Sequence, residues 1–163
     1  MATKQNVGNA GEYYIASRLS ALDFTVTITL GRAERYDILV LSPKGKLIKI
    51  SVKTTQISEA KDFPLSAKDE EGESNDFYYA LVRLNNFEKE PDFWVIPSKI
   101  VCPLLKGSNE KWLETKGKNN REHKPSTIRT LPITAISKNH DYLFPESWPN
   151  EVKKYHNNLD PLL

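Results

Sequence analysis

Residues 35–55 read RYDILVLSPKGKLIKISVKTT, and their interpretation decides the fold. Two runs rich in Ile, Leu and Val flank Ser42-Pro43-Lys44-Gly45-Lys46. That composition suits a three-residue hairpin loop, with Pro43 and Lys44 in a type I turn and Gly45 in the left-handed position after it. The turn sets the register. Ser42 then pairs with Lys46, and counting back places Asp37 opposite Ser51. Ile38, Val40, Ile48, Ile50 and Val52 fall on one face as an unbroken apolar surface. The other face is apolar only in part, through Leu39, Leu41 and Leu47. Directly opposite residues have Cβ atoms about 4.5–5.5 Å apart, and diagonal ones little more. Asp37, Ser51 and Lys53 are therefore expected to cluster at the open end of the hairpin, away from the turn.

Outward from the hairpin, VGNAGEYYIASRLSAL (7–22) reads as a helix in which Ile15, Leu19 and Leu22 share a face. Three positions back along that stripe stands Glu12. TVTITL (25–30) alternates as a half-buried strand and leads through GRAER into the hairpin. FYYALVRL (77–84) and FWVIP (93–97) are two further strands rich in aromatic and β-branched residues. Ser98 is expected to cap a short helix whose length Pro103 limits. Residues 58–76 are acidic and read as a solvated excursion. Residues 106–126 are basic and polar, and the last stretch adds one strand and a short helix. Helix, three strands, loop, two strands, helix and a variable end make an α/β fold, a mixed β-sheet flanked by helices.

A length of 163 residues accommodates one core and not two comfortable domains. With 39% hydrophobic and 27% charged residues, the composition is that of a soluble globular chain, and no apolar run is long enough for a membrane span. The opening MATKQNVGNAGEYY has no apolar h-region, so no secretory signal is expected. Cys102 is the single cysteine and has no internal disulfide partner. These features favour a reducing, cytoplasmic setting. The net charge is only +2, so attraction to nucleic acid must come from a local patch.

Two readings of the Asp37–Lys53 pair are open. A cross-strand ion pair at the surface is worth well under about 1 kcal/mol, and Glu12 near a helix start is favourable on its own account. Alternatively, if the first helix packs over the open end of the hairpin, carboxylates converge on a lysine. Such a grouping is costly to bury without a metal or another use.

Together, GNAGEYY with Glu12, RYDILV with Asp37 and KISVKTT with Ser51-Val52-Lys53 resemble the PD-(D/E)xK nuclease superfamily. Within it they are similar to small Holliday-junction resolvases and restriction-endonuclease-like proteins. The resemblance covers roughly residues 8–100, leaving 101–163 as a variable C-terminal part of a single nuclease-like domain. It implies a restriction-endonuclease-like fold, DNA as partner, Mg²⁺ or Mn²⁺ as cofactor, and a homodimer. By the same resemblance Glu12, Asp37 and Lys53 are catalytic, and Asp37, Glu12 and the Val52 carbonyl hold the metal. Tyr36 replaces the name-giving proline, at a position that does no chemistry. Ser51 replaces the second acid, which removes a negative charge from the metal cage. Three outcomes stay open: Glu12 and Asp37 suffice once substrate completes the shell, another acid such as Glu59 reaches in from the following loop, or the site is dead and the fold binds DNA or a protein.

Arg32 and Arg35, just before Asp37, are candidates for phosphate contact, as is Gln56 just beyond Lys53. Lys116, Lys118 and Arg121, in a basic segment that also holds Trp112, form a patch able to track a nucleic-acid backbone and stack a base. Against them stands the plainer reading of a solvated strand end and a solvated loop. His123, His140 and His156 lack ligand spacing, which argues against zinc.

Overall fold

The computed structural model describes residues 2–29, 35–134 and 141–163. In chain order the elements are α1 (Lys4–Ser20), β1 (Thr25–Ile28), β2 (Ile38–Leu41), β3 (Leu47–Thr55), β4 (Asp62–Ser66), β5 (Phe77–Arg83), β6 (Asp92–Pro97), α2 (Ser98–Glu114), β7 (Ile128–Pro132) and α3 (Trp148–Glu151). A 3-10 turn at Ala67–Glu70 joins β4 to the approach to β5. The main sheet has the order β1-β2-β3-β5-β6, and β4 and β7 form a second, two-stranded sheet. Only the β3–β5 pairing is parallel; the other pairings of the main sheet are antiparallel. The main sheet is therefore mixed.

The hairpin takes the expected form. Ser42 N–H donates to Lys46 O at 2.9 Å and Gly45 N–H to Ser42 O at 2.8 Å. Gly45 has φ +79°, a left-handed conformation that glycine adopts without strain. The register is Ile38 opposite Ile50 and Val40 opposite Ile48, and all four side chains are buried. Their face packs against Ile15 and Leu19 of α1, with Tyr78, Ala80 and Val82 of β5 continuing the same core. The opposite face of β5 and β6 carries Phe77, Tyr79, Leu81, Trp94 and Ile96. It is covered by α2, the β4–β7 sheet and Trp148 of α3.

Four expectations from the sequence need correction. The first helix runs from Lys4, where the Thr3 hydroxyl accepts from Asn6 N–H at 3.2 Å, and ends at Ser20. Asp23 turns left-handed at φ 60°, so Phe24 and not Leu22 enters the core. The acidic stretch 58–76 is not a solvated excursion: Phe63 and Leu65 alternate with exposed Asp62 and Pro64, and β4 pairs with β7 through Phe63 opposite Leu131. Helix α2 continues past Pro103, which faces solvent, while Val101, Cys102, Leu105 and Ser108 face the sheet. An interior proline costs about 3 kcal/mol, and burying Val101 and Leu105 at roughly 1.5–3 kcal/mol each offsets it. Ser98 is not the helix cap. It is buried, its hydroxyl donates to Ser74 O and accepts from Ser74 N–H, both at 3.0 Å, and it pins the loop before β5. Among the described residues no helix is long and apolar enough to cross a membrane.

Candidate active site

The site is built where β2 stops pairing with β3. Asp37 N–H donates to Ile50 O at 2.9 Å on one neighbour, while Asp37 C=O accepts from Thr29 N–H at 2.9 Å on the other. In a regular antiparallel strand both backbone groups of a residue point to the same side. Here they point apart, so the chain bends at Asp37 and β2 no longer pairs with β3 beyond it, while β3 stays paired with β5 on its other edge. Val52 N–H, which one further rung of the ladder would have paired with backbone, donates instead to Asp37 Oδ2 at 2.6 Å. The Val52 carbonyl shares the side of its N–H, because Val52 lies within β3. It therefore projects into the same gap. Ser51, 5% exposed, also donates from its hydroxyl to Asp37 Oδ2, at 3.3 Å. A serine at this position orients the aspartate, whereas a carboxylate would repel it.

Glu12 reaches the site from α1. Burial pushes its carboxyl above the usual carboxylate range, and the negative charge of Asp37 pushes it in the same direction. The two acids are therefore close enough to feel each other's charge. Asp37, Ser51 and Lys53 line a cleft of about 210 Å³ on the α2 side of the sheet. Glu12 is not among the residues that line this cleft; it stands on α1, which packs on the opposite face of the sheet.

Lys53 does not pair with Asp37. Its ammonium lies 3.1 Å from Asp69 Oδ1 in the 3-10 turn, with the lysine side chain 29% and the aspartate side chain 11% exposed. Asp69 Oδ2 accepts from Ser66 N–H at 2.7 Å and from the Ser66 hydroxyl at 2.9 Å, and Asp69 C=O accepts from the buried Tyr79 hydroxyl at 3.0 Å. The acid brought in by the loop after β3 is thus Asp69 and not Glu59, which is exposed in a turn. The sequence signal for it was Ser66-Ala67-Lys68-Asp69, a serine followed three residues on by an acid, the spacing of a reciprocal cap.

Of the proposed nucleic-acid contacts among the described residues, only Arg35 lines the cleft, with Lys68 as a cation that the sequence reading missed. Arg35 is paired with exposed Glu71 at 3.6 Å. Gln56, Lys116 and Arg121 do not line it. Arg32 and the Lys118 side chain lie outside the described residues. Cys102 is buried in α2, and burial pushes its thiol up to about 11, which makes it a poor nucleophile.

Among the described residues no three His, Cys, Asp or Glu side chains gather into a metal cage. The donors fit a different kind of site. Two carboxylates that repel each other, and a backbone carbonyl in the same gap, match a hard cation that keeps waters and takes further oxygens from a phosphate substrate.

A family model described as PD-(D/E)XK endonuclease matches residues 1–102. Among solved structures, the chain is similar to a bacterial homing endonuclease, I-Ssp6803I, at 14% identity and a TM-score of 0.49, over 95% of each chain. It is also similar to Hjc, a Holliday junction resolvase from the archaeal hyperthermophile Archaeoglobus fulgidus, at 15% identity and a TM-score of 0.46, over 85% of this chain and 88% of that one. No curated protein matches the chain.

Proposed function

This chain belongs to the PD-(D/E)XK endonuclease family, and from that premise we propose that it hydrolyses DNA phosphodiester bonds with a divalent metal, Mg²⁺ or Mn²⁺. The observation that carries this reading is the end of β2–β3 pairing at Asp37, which leaves a carboxylate, a backbone carbonyl and, across the cleft, a lysine around one gap. Asp37 would hold the metal directly, joined by the Val52 carbonyl and by Glu12, directly or through water. Such an ion, when bound, polarises the phosphoryl oxygens and acidifies a water.

The protein's own groups supply the rest. The Val52 N–H and the Ser51 hydroxyl fix the Asp37 carboxylate by binding Oδ2, and among the described residues Oδ1 accepts no hydrogen bond. Lys53, on the same face of β3 as Ser51, orients the attacking water and stabilises negative charge developing on the phosphoryl group. Arg35 and Lys68 line the cleft and would meet the backbone of the substrate. The Arg35–Glu71 pair is exposed, hence weak, and Arg35 exchanges it for phosphate at little cost. Gln56, Lys116, Lys118 and Arg121 would extend the contact beyond the cleft. By resemblance to resolvases, the working unit on DNA would be a homodimer, with one site for each strand.

Ser51 favours one second reading, a nuclease-derived module that binds DNA without cutting it. Cleavage assays on plasmid, single-stranded and branched DNA with Mg²⁺ or Mn²⁺ separate the two. Metal-dependent cutting that disappears in Lys53→Ala supports the hydrolase. An inert wild type whose DNA affinity weakens with added salt supports the binding module, and regained cutting in Ser51→Glu would locate the defect.

A further inference from the structure

Lys53 acts on the attacking water and the phosphoryl oxygens in the proposed hydrolysis, and a lysine is a point charge on a flexible stem that must be immobilised to act on one water or one oxygen. Its neighbour two positions back along the same strand face, Ser51, is neutral and engaged with Asp37. Within the hairpin, nothing anionic fixes the ammonium.

We infer that Asp69 is the positioning residue for Lys53, supplying from outside the hairpin the negative charge that Ser51 lacks. The inference rests on the reading of Lys53 as part of the catalytic apparatus. Asp69 is built to hold a direction. One carboxylate oxygen is 3.1 Å from the Lys53 ammonium. The other is fixed by both polar groups of Ser66, and the backbone carbonyl by the Tyr79 hydroxyl. Glu70, the next residue, forms a buried ion pair with Arg129 of β7. Arg129 in turn donates to Ser126 O at 2.6 Å and to Ile128 O at 2.9 Å. The 3-10 turn is therefore tied to β4, β5 and β7 at once, and its rigidity passes to the lysine. Both carboxylate oxygens of Asp69 have protein partners, so the residue acts through Lys53 and not as a metal ligand. A consequence is that β7, which lies beyond the residues 1–102 matched by the family model, takes part in aiming the lysine.

The test uses the full chain and the variant Asp69→Asn, which keeps an acceptor for Ser66 and loses the charge. Steady-state cleavage of duplex DNA in MnCl₂ gives kcat and KM, calorimetric titration with MnCl₂ gives metal affinity, and ¹³C relaxation gives the order of the Lys53 ε-methylene. The expected result is a fall in kcat of about 10–100-fold, the scale seen when a supporting partner of a site is removed. KM and Mn²⁺ affinity stay within about twofold, and the Lys53 ε-methylene, rigid in the wild type, becomes mobile. Unchanged order at Lys53 overturns the inference, as does a tenfold loss of Mn²⁺ affinity, which would make Asp69 a ligand. If the wild type does not cut DNA, the cleavage proposal alone fails, and the relaxation measurement still decides for or against Asp69. Should Asp69→Asn not fold, Ser66→Ala loosens one Asp69 oxygen while keeping its charge, and the same comparison of Lys53 order applies.

Discussion

Gly11 of α1 rests directly against Thr54 of β3: a β-carbon on residue 11 would lie 2.0 Å from Thr54 Oγ1 and 2.8 Å from its Cγ2. Only hydrogen fits there. The contact sets how low the helix lies on the sheet, and Glu12 is the next residue along. Gly11→Ala gains roughly 1 kcal/mol of helix propensity, but the overlap with a stiff β-branched side chain calls for the upper part of the roughly 1–3 kcal/mol that overpacking costs. A net destabilisation of about 1–2 kcal/mol is expected in urea unfolding. Adding Thr54→Ala should recover much of it, as a coupling between touching residues. Cleavage by the folded Gly11→Ala variant should still fall, because Glu12 rides on the displaced helix.

Thr54 carries a second expectation. Its hydroxyl is buried and has no hydrogen-bond partner among the described residues. A polar group left in that state costs on the order of 1–3 kcal/mol. Thr54→Val keeps the shape and removes the hydroxyl, so the urea midpoint should rise, by about 1 kcal/mol of stability. A fall would mean that the hydroxyl is satisfied in solution.

Metal binding should be visible without any DNA. A divalent ion that binds only the folded state stabilises it by RT ln(1 + [L]/Kd), about 2.7 kcal/mol at a hundredfold excess over Kd. MnCl₂ should therefore raise the thermal midpoint of the wild type, and by much less in Asp37→Asn. That variant keeps an oxygen to accept from Val52 N–H but lacks the charge. An equal shift in both proteins would place the metal elsewhere.

Acid should loosen the far edge of the sheet. Burial alone would push the Asp92 carboxyl up. Hydrogen bonds from Arg83, Asn85 and His156 outweigh it and bring the carboxyl down to about 2. A carboxylate held below its ordinary value, near 4, binds fewer protons folded than unfolded. Its stabilisation is thus complete above that ordinary value and is lost as the pH falls from about 4 toward 2. Urea midpoints measured across this window should drop in the wild type and drop less steeply in Asp92→Asn.

The hairpin was legible in the sequence because its turn chemistry is local: proline then glycine at the right offsets fixes the register from Leu41 opposite Leu47 to Ile38 opposite Ile50, and the strand ends just short of the expected Asp37–Ser51 rung, where the two side chains meet through a hydrogen bond instead. The helix carrying Glu12 was legible for the same reason, through a short apolar period. Asp69 was not, since its place depends on β4 pairing with a strand far along the chain, and no local pattern announces that partner. The acidic charges around Phe63 and Leu65 hid the two-residue alternation of a short strand. The length of α2 was misread because a proline on a solvent face weakens a helix without ending it when the opposite face is well buried. The partner of Lys53 was left open by the sequence: its ammonium lies beside Asp69, while the Asp37 carboxylate in the same cleft accepts from the Val52 amide.

The parallel pairing of β3 with β5 obliges the intervening chain to leave the sheet and return, and β4, made on that detour, pairs with β7. As the chain emerges from the ribosome, the acids and the lysine are thus synthesised well before the strand that completes the small sheet and ties down the turn bearing Asp69. The turn bearing Asp69 gains its tie to Arg129 only after β7 docks, so on the proposed reading a nascent polypeptide with every reactive group already made would still lack the support that aims Lys53.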